Sequence, residues 1–291
     1  MNNSLIIIFF LIIIIVLIMV KTIKKERFSN KNKNKNNKNN NKRTQKRKKN
    51  IQKIVNICND ILVNKDDDCN CKDTRGLPSE NLKECAKNNT NKECNNYHLC
   101  KKFIKAFMSG SEPKYEPEVW EDPLVNDSHN CYAYFLDDRI PAVKKKCKQS
   151  KGDCSHLKPQ PGNMSFLKGN RKSKNRKYTC DKMIKAVLDD NKIIELSNFE
   201  DKCKKGYYKG YLVVDKNHTY HFYRQDTNGR WSHKQGTLEV ENTDASDRPI
   251  YVPHLADKNY NKENSEDGIS YTDSCSYMCI PNNKYFKTSA I

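Results

Sequence analysis

The sequence predicts an α+β fold for residues 124–291, with short helices first and an antiparallel sheet after them. Four β-rich runs, Tyr207–Asp215, Thr219–Asp226, Arg230–Lys234 and Thr237–Val240, are separated by the breaks Asp215-Lys-Asn-His218 and Asn228-Gly229, which read as turns between paired strands. Ahead of them lie two helical signals. One opens at Cys131 after the polar stretch Asp127–Asn130; the other is Asp181–Leu188, with apolar Met183, Ile184 and Val187 at helical spacing. Helices grouped before strands argue for α+β rather than a parallel βαβ sheet.

Upstream the chain divides by composition. Residues 1–20 hold the unbroken apolar run Leu5–Val20, with no basic residue before it. It is read as a retained transmembrane anchor rather than a cleaved signal peptide. Residues 21–50 are a Lys/Asn-rich spacer with 14 Lys/Arg against the single Glu26, so +13 of the formal +19 sits there and about +6 remains for the rest. Such a run buries no apolar surface and is expected to be disordered, attracted to anionic lipid headgroups. Apart from Phe28 it carries no aromatic for base stacking, so a nucleic-acid arm is not expected. Residues 51–110 read as a small Cys-rich helical region, with helices at Ile51–Val63, Leu82–Lys87 and Tyr97–Met108, and Asp66-Asp67-Asp68 reads as a solvated acidic turn. Residues 111–123, with Pro113, Pro117 and Pro123, read as a linker.

Thirteen cysteines point to a disulfide framework. Six lie between Cys58 and Cys100, and seven follow: Cys131, Cys147, Cys154, Cys180, Cys203, Cys275 and Cys279. An even set and an odd set imply two stapled regions with one thiol left over, and Cys131 has the flanks that best justify it. No Cys-x-x-Cys pair occurs, so no metal and no cofactor is expected. Disulfides call for an oxidising compartment, whereas basic residues just after an apolar span predict a cytoplasmic side. The sequons Asn126-Asp-Ser128 and Asn217-His-Thr219 lie beside the candidate site, where glycans would crowd it.

That site combines Cys131, His221 and His233. A thiol at a helix start, a histidine base on a strand and a third polar group that orients the base form the usual recipe for a cysteine nucleophile. Register decides whether the histidines meet. A two-residue turn at Asn228-Gly229 puts Arg224 opposite His233 and sends His221 to the other face. A three-residue loop, Thr227-Asn228-Gly229, puts Tyr223 opposite His233 and His221 on the same face, one diagonal away. In the second register Cys131 is the nucleophile, His221 the base and His233 its orienting partner. Each residue also has a bland counterpart: a buried or bonded cysteine, a core strand residue and a surface histidine.

This arrangement resembles the NlpC family of papain-like cysteine peptidases, which cleave peptide bonds in cell-wall peptidoglycan. Cys131 matches that family's nucleophile, Pro161-Gly162 its turn, His221 its base and His233 its third member. The resemblance implies a papain-like domain with a Cys-bearing N-terminal helix and antiparallel sheet, and a peptide or peptidoglycan-like substrate. It covers about residues 126–240; Asn130-Cys131-Tyr132 and Pro161-Gly162-Asn163 depart from the family's usual Asp-Cys-Ser and Pro-Gly-Asp. The Lys/Asn/Ile bias resembles proteins of giant DNA viruses, which implies a single-pass protein of the virion or a host internal membrane. Two functions are therefore expected as alternatives: a membrane-tethered cysteine hydrolase forming an acyl-enzyme on Cys131, or a non-catalytic, disulfide-rich viral envelope protein in structure, attachment or fusion.

Overall fold

A computed structural model describes residues 37–69, 94–150, 154–162, 177–216, 218–261 and 268–282. The chain divides into two compact units, residues 1–58 and 59–291. Helix α1 (Asn37–Cys69) begins in the first. Its length corrects the expectation of a disordered spacer through residue 50, because residues 37–50 are helical. Lys, Arg and Gln are good helix formers, and extending a helix nucleated at Ile51–Val63 costs little once its first turn exists. The predicted span Leu5–Val20 and the predicted helix Leu82–Lys87 lie outside the described residues.

In the second unit, α2 (Asn95–Lys105), α3 (Pro117–Trp120), α4 (Pro123–Ser128), α5 (Cys131–Phe135), α6 (Pro141–Gln149) and α7 (Cys180–Asp190) precede all the strands of a six-stranded sheet. The strands are β1 (Glu195–Ser197), β2 (Tyr207–Asp215), β3 (Thr219–Gln225), β4 (Trp231–Lys234), β5 (Val240–Glu241) and β6 (Asp273–Pro281), in the order β1-β6-β2-β3-β4-β5. Every neighbouring pair is antiparallel. No described helix is long and apolar enough to cross a membrane. The expected architecture, a domain behind a transmembrane helix, is therefore corrected to an antiparallel six-stranded sheet with several short helices.

Local chemistry sets the helix boundaries around the site. Asp122 accepts the Leu124 and Val125 N–H groups, and Pro123 starts α4, where a missing N–H costs nothing. His129 is extended, which ends α4, and Asn130 then caps α5 by accepting the Ala133 N–H. The expected linker is not loose. The Glu112 carboxylate accepts the Ser109 N–H at 2.6 Å and the Gly110 N–H at 2.9 Å, and α3 forms within it.

The core lies between β2, β3 and β6 on one side and α5 and α7 on the other: Phe135, Leu212, Phe222, Met278 and Ile280 pack with Val187. Gly210 is needed here, since a Cβ would fall 2.2 Å from the Phe135 ring. Disulfides join Cys69 to Cys94, Cys147 to Cys154, Cys180 to Cys275 and Cys203 to Cys279, and Cys58 and Cys100 are also disulfide-bonded. The last two named pairs span 95 and 76 residues and fasten β6 to α7 and to the loop before β2, restricting the unfolded chain most. Asp66 is also not as expected. It is 4% exposed, pairs with Arg230 and accepts hydrogen bonds from Tyr97 and Tyr251, so it is a buried counter-ion and not a solvated turn residue.

Candidate active site

The hairpin β3–β4 positions the histidines. Asp226 N–H bonds to the Arg230 carbonyl and Gly229 N–H to the Asp226 carbonyl, both at 2.9 Å, leaving Thr227-Asn228-Gly229 as a three-residue loop. Gly229 has φ +92°, the left-handed conformation that such a loop requires at its last position. Tyr223 consequently pairs with His233, and His221 lies on the same face. Its Nε2 is 3.0 Å from His233 Nδ1, the rings perpendicular with centroids 5.0 Å apart.

Proton positions follow from the acceptors. His233 Nε2 is 2.9 Å from the Thr243 carbonyl, which can only accept, so that nitrogen carries the hydrogen. In the neutral ring Nδ1 of His233 is then bare and accepts, so His221 Nε2–H donates to it. The bare nitrogen of His221 is its Nδ1. Both rings are buried. Burial, reinforced by His233, holds His221 well below the usual histidine pKa. Burial lowers His233 to about 4 against the opposing Thr243 carbonyl.

Cys131 is the free cysteine among the described residues. It belongs to the core on the other face, with Tyr132, Phe135 and Phe222. Side chains alternate along a strand, so Phe222 points toward α5 while His221 and Tyr223 point away. The sulfur makes no hydrogen bond to either histidine. It instead faces the backbone N–H groups of Phe222, Tyr132 and Cys131 itself. Pairing between β3 and β4 ends at Tyr223, so the sulfur lies where the strand edge opens, one residue from His221. Tyr271 joins the two faces: its ring stacks on His221 at 5.3 Å and is within electrostatic reach of Cys131.

The helix start does not activate the thiol as expected. Burial pushes Cys131 up to about 12 despite the N–H groups and the Lys234 charge, which pull the other way. α5 has five residues, too few peptide dipoles to offset a dry environment. The thiol is protonated at neutral pH, and a base must remove its proton during any reaction.

Sequence reasoning missed Thr243, Tyr271 and Lys234. Thr243 contributes a main-chain carbonyl, so no side chain advertises it. Tyr271 comes from the irregular segment before β6. Lys234 sits in a strand of which all four residues are buried, Trp-Ser-His-Lys, and a strand lysine is ordinarily read as solvated. Asn126 of the first sequon is engaged by Lys234 at 2.5 Å, and Ser128 is fully buried; Asn217 of the second lies outside the described residues. Among the described residues, no group of three or more His, Cys, Asp or Glu side chains is placed to hold a metal ion.

No family model matches the chain, and no solved structure matches it. The chain is similar to insoluble matrix shell protein 1 of Ruditapes philippinarum, 30% identical over 146 residues that cover 50% of this chain and 81% of that protein. The chain belongs to the family of that shell protein. This relation, together with the lack of a membrane-length apolar helix among the described residues, corrects the expected single-pass location in a virion or host membrane.

Proposed function

We propose that the chain is an extracellular, disulfide-stapled protein with a thiol acyl-transfer site at Cys131. The observation that carries this reading is the relay from His221 Nε2–H to His233 Nδ1 and from His233 Nε2–H to the Thr243 carbonyl, which leaves His221 Nδ1 as a fixed, bare base one residue from the amide that meets the sulfur. Two buried imidazoles are expensive to keep, and a relay that fixes one tautomer gives them a chemical purpose. Ten disulfide-bonded cysteines among the described residues fit an oxidising exterior.

In the reaction, the Cys131 proton crosses the open edge of β3, where Tyr271 meets both groups, to reach His221 Nδ1, and the sulfur attacks an amide or peptide carbonyl. The C–N bond breaks, the leaving amine receives the proton from His221, and water releases the acyl group from the thioester. His233 holds the His221 ring and stabilises its positive charge. A small thiol-directed electrophile followed by peptide mapping tests the reading. Cys131 is expected to label in the native protein, to label at least about tenfold more slowly in His221→Ala, and to be unaffected by His254→Ala, a half-buried histidine bonded to Tyr277 instead. Equal labelling in all three proteins sinks it.

One observation favours a second reading, a non-catalytic matrix component: the relative is an insoluble matrix protein of shell. In that case Cys131 stays unlabelled in the folded protein, and the protein partitions into an insoluble matrix with Cys131 and His221 both replaced.

A further inference from the structure

Among the described residues of the second unit two lysines are buried, and their surroundings differ. Lys209 is 1% exposed, donates to the Phe107 and Phe199 carbonyls, and has Asp201, Glu112 and Glu200 within electrostatic reach. Lys234 is fully buried. Its ammonium donates to neutral oxygens: the Asn126 carbonyl at 3.4 Å, Asn126 Oδ1 at 2.5 Å, the Gly236 carbonyl at 2.7 Å and the Leu238 carbonyl at 3.1 Å. Among the described residues it makes no ion pair with a carboxylate. The groups that favour its charge are Cys131 and the exposed Asp127, while Lys158 opposes it. On the β4 face toward α5, where Ser232 bonds Tyr134 at 2.6 Å, the chain thus keeps a dry cation without a settled anion.

We propose that Lys234 is the positioning residue whose buried charge stabilises the Cys131 thiolate once its proton has left. This deepens the acyl-transfer reading and rests on it. The Asn126 contacts fix the ammonium to α4, five residues before the nucleophile, so the charge is in place before any substrate arrives. The proton passes from sulfur to His221 Nδ1, and Lys234 keeps all of its own. The charged or titratable groups facing this pair are Asp127, Lys158 and His129 on the lysine side and Tyr271 on the sulfur side.

The test follows Cys131 alkylation by iodoacetamide between about pH 6 and pH 10, mapped by mass spectrometry, and needs no substrate. Lys234→Met is expected to slow alkylation at least about tenfold near pH 7.5, the effect of one unit in the thiol pKa, while Lys234→Arg stays within about threefold of the native rate. In the native protein the rise of rate with pH is expected to bend near pH 8, since burial brings the lysine down to about 8 and its charge is lost there. Unchanged alkylation in Lys234→Met, or a native profile climbing through pH 8 without a bend, overturns the proposal. If the Met variant does not fold, the native profile still decides. A slowed Lys234→Met beside an unaffected His221→Ala keeps the lysine's role and removes the base. The reverse pattern removes the lysine alone, and a thiol unreactive at every pH removes both.

Discussion

The two faces of the β3–β4 hairpin satisfy their polar groups very differently. Toward α5, Arg224 donates to Asp137 at 2.7 Å, to the Tyr134 hydroxyl at 2.9 Å and to Asp226 at 3.2 Å, and Ser232 bridges Tyr134 and Asp226. On the opposite face the histidines bond each other, the Tyr223 hydroxyl meets Tyr260, which meets Gln235, and Tyr211 meets Ser274, while buried Gln225 Oε1 and Trp231 Nε1 have no hydrogen-bond partner among the described residues. Both faces come from the same few residues by alternation, so the contrast reflects what packs on them. The first is a closed structural network. The second is a string of neutral side chains, histidine, tyrosine and glutamine, with no ion pair like that of Arg224 among them.

Breaking the closed face has the largest expected effect. Arg224→Met strands Asp226 and Asp137 and is expected to cost about 3–5 kcal/mol, read as a lower urea midpoint. Acid sharpens the contrast next. His233 falls to about 4 when folded, below the ordinary value of about 6.5, so its contribution is complete above pH 6.5 and is lost as pH falls toward 4. At pH 5 that loss is about 2 kcal/mol for this residue alone. Asp226 on the other face runs oppositely: burial raises it to about 6, so its destabilising charge is relieved over the same descent. A net drop in urea midpoint between pH 7.5 and pH 5 that shrinks in His233→Asn confirms the assignment, and an unchanged drop refutes it.

Smaller effects come from the open face. His233→Ala leaves the His221 Nε2–H and the Thr243 carbonyl without partners and is expected to cost about 1–3 kcal/mol. Tyr223→Phe removes a hydroxyl whose partner is the Tyr260 hydroxyl, so stability is expected to fall by about 1 kcal/mol. No loss in urea midpoint would mean that the Tyr223–Tyr260 contact contributes nothing to stability.

Much of the hairpin was legible in the sequence. The β2 bounds agree with the run Tyr207–Asp215, because β-branched and aromatic residues between polar breaks leave little choice. The three-residue loop was readable as one of two registers, with Gly229 supplying the positive φ that the loop needs. β6 was not legible. Asp-Ser-Cys-Ser-Tyr-Met-Cys-Ile-Pro mixes polar residues with half-cystines, and its burial depends on distant partners, β1, β2 and two disulfides. The site was legible as residue types but not as surroundings. Cys131, His221 and His233 stand out as a nucleophile and two imidazoles, yet the dryness that raises the thiol and the cation beside it arise from packing by residues far away in the chain.

β6 is inserted between β1 and β2, although it is translated last, more than thirty residues after the end of β5. During synthesis the sheet must therefore wait with its middle vacant. β1 has no neighbour but β6, so until residues 273–281 emerge it has nothing to zip against, and Cys180 and Cys203 stay unpaired. Maturation is consequently a late, one-step event in which the arrival of a single strand completes the sheet and locks it by oxidation.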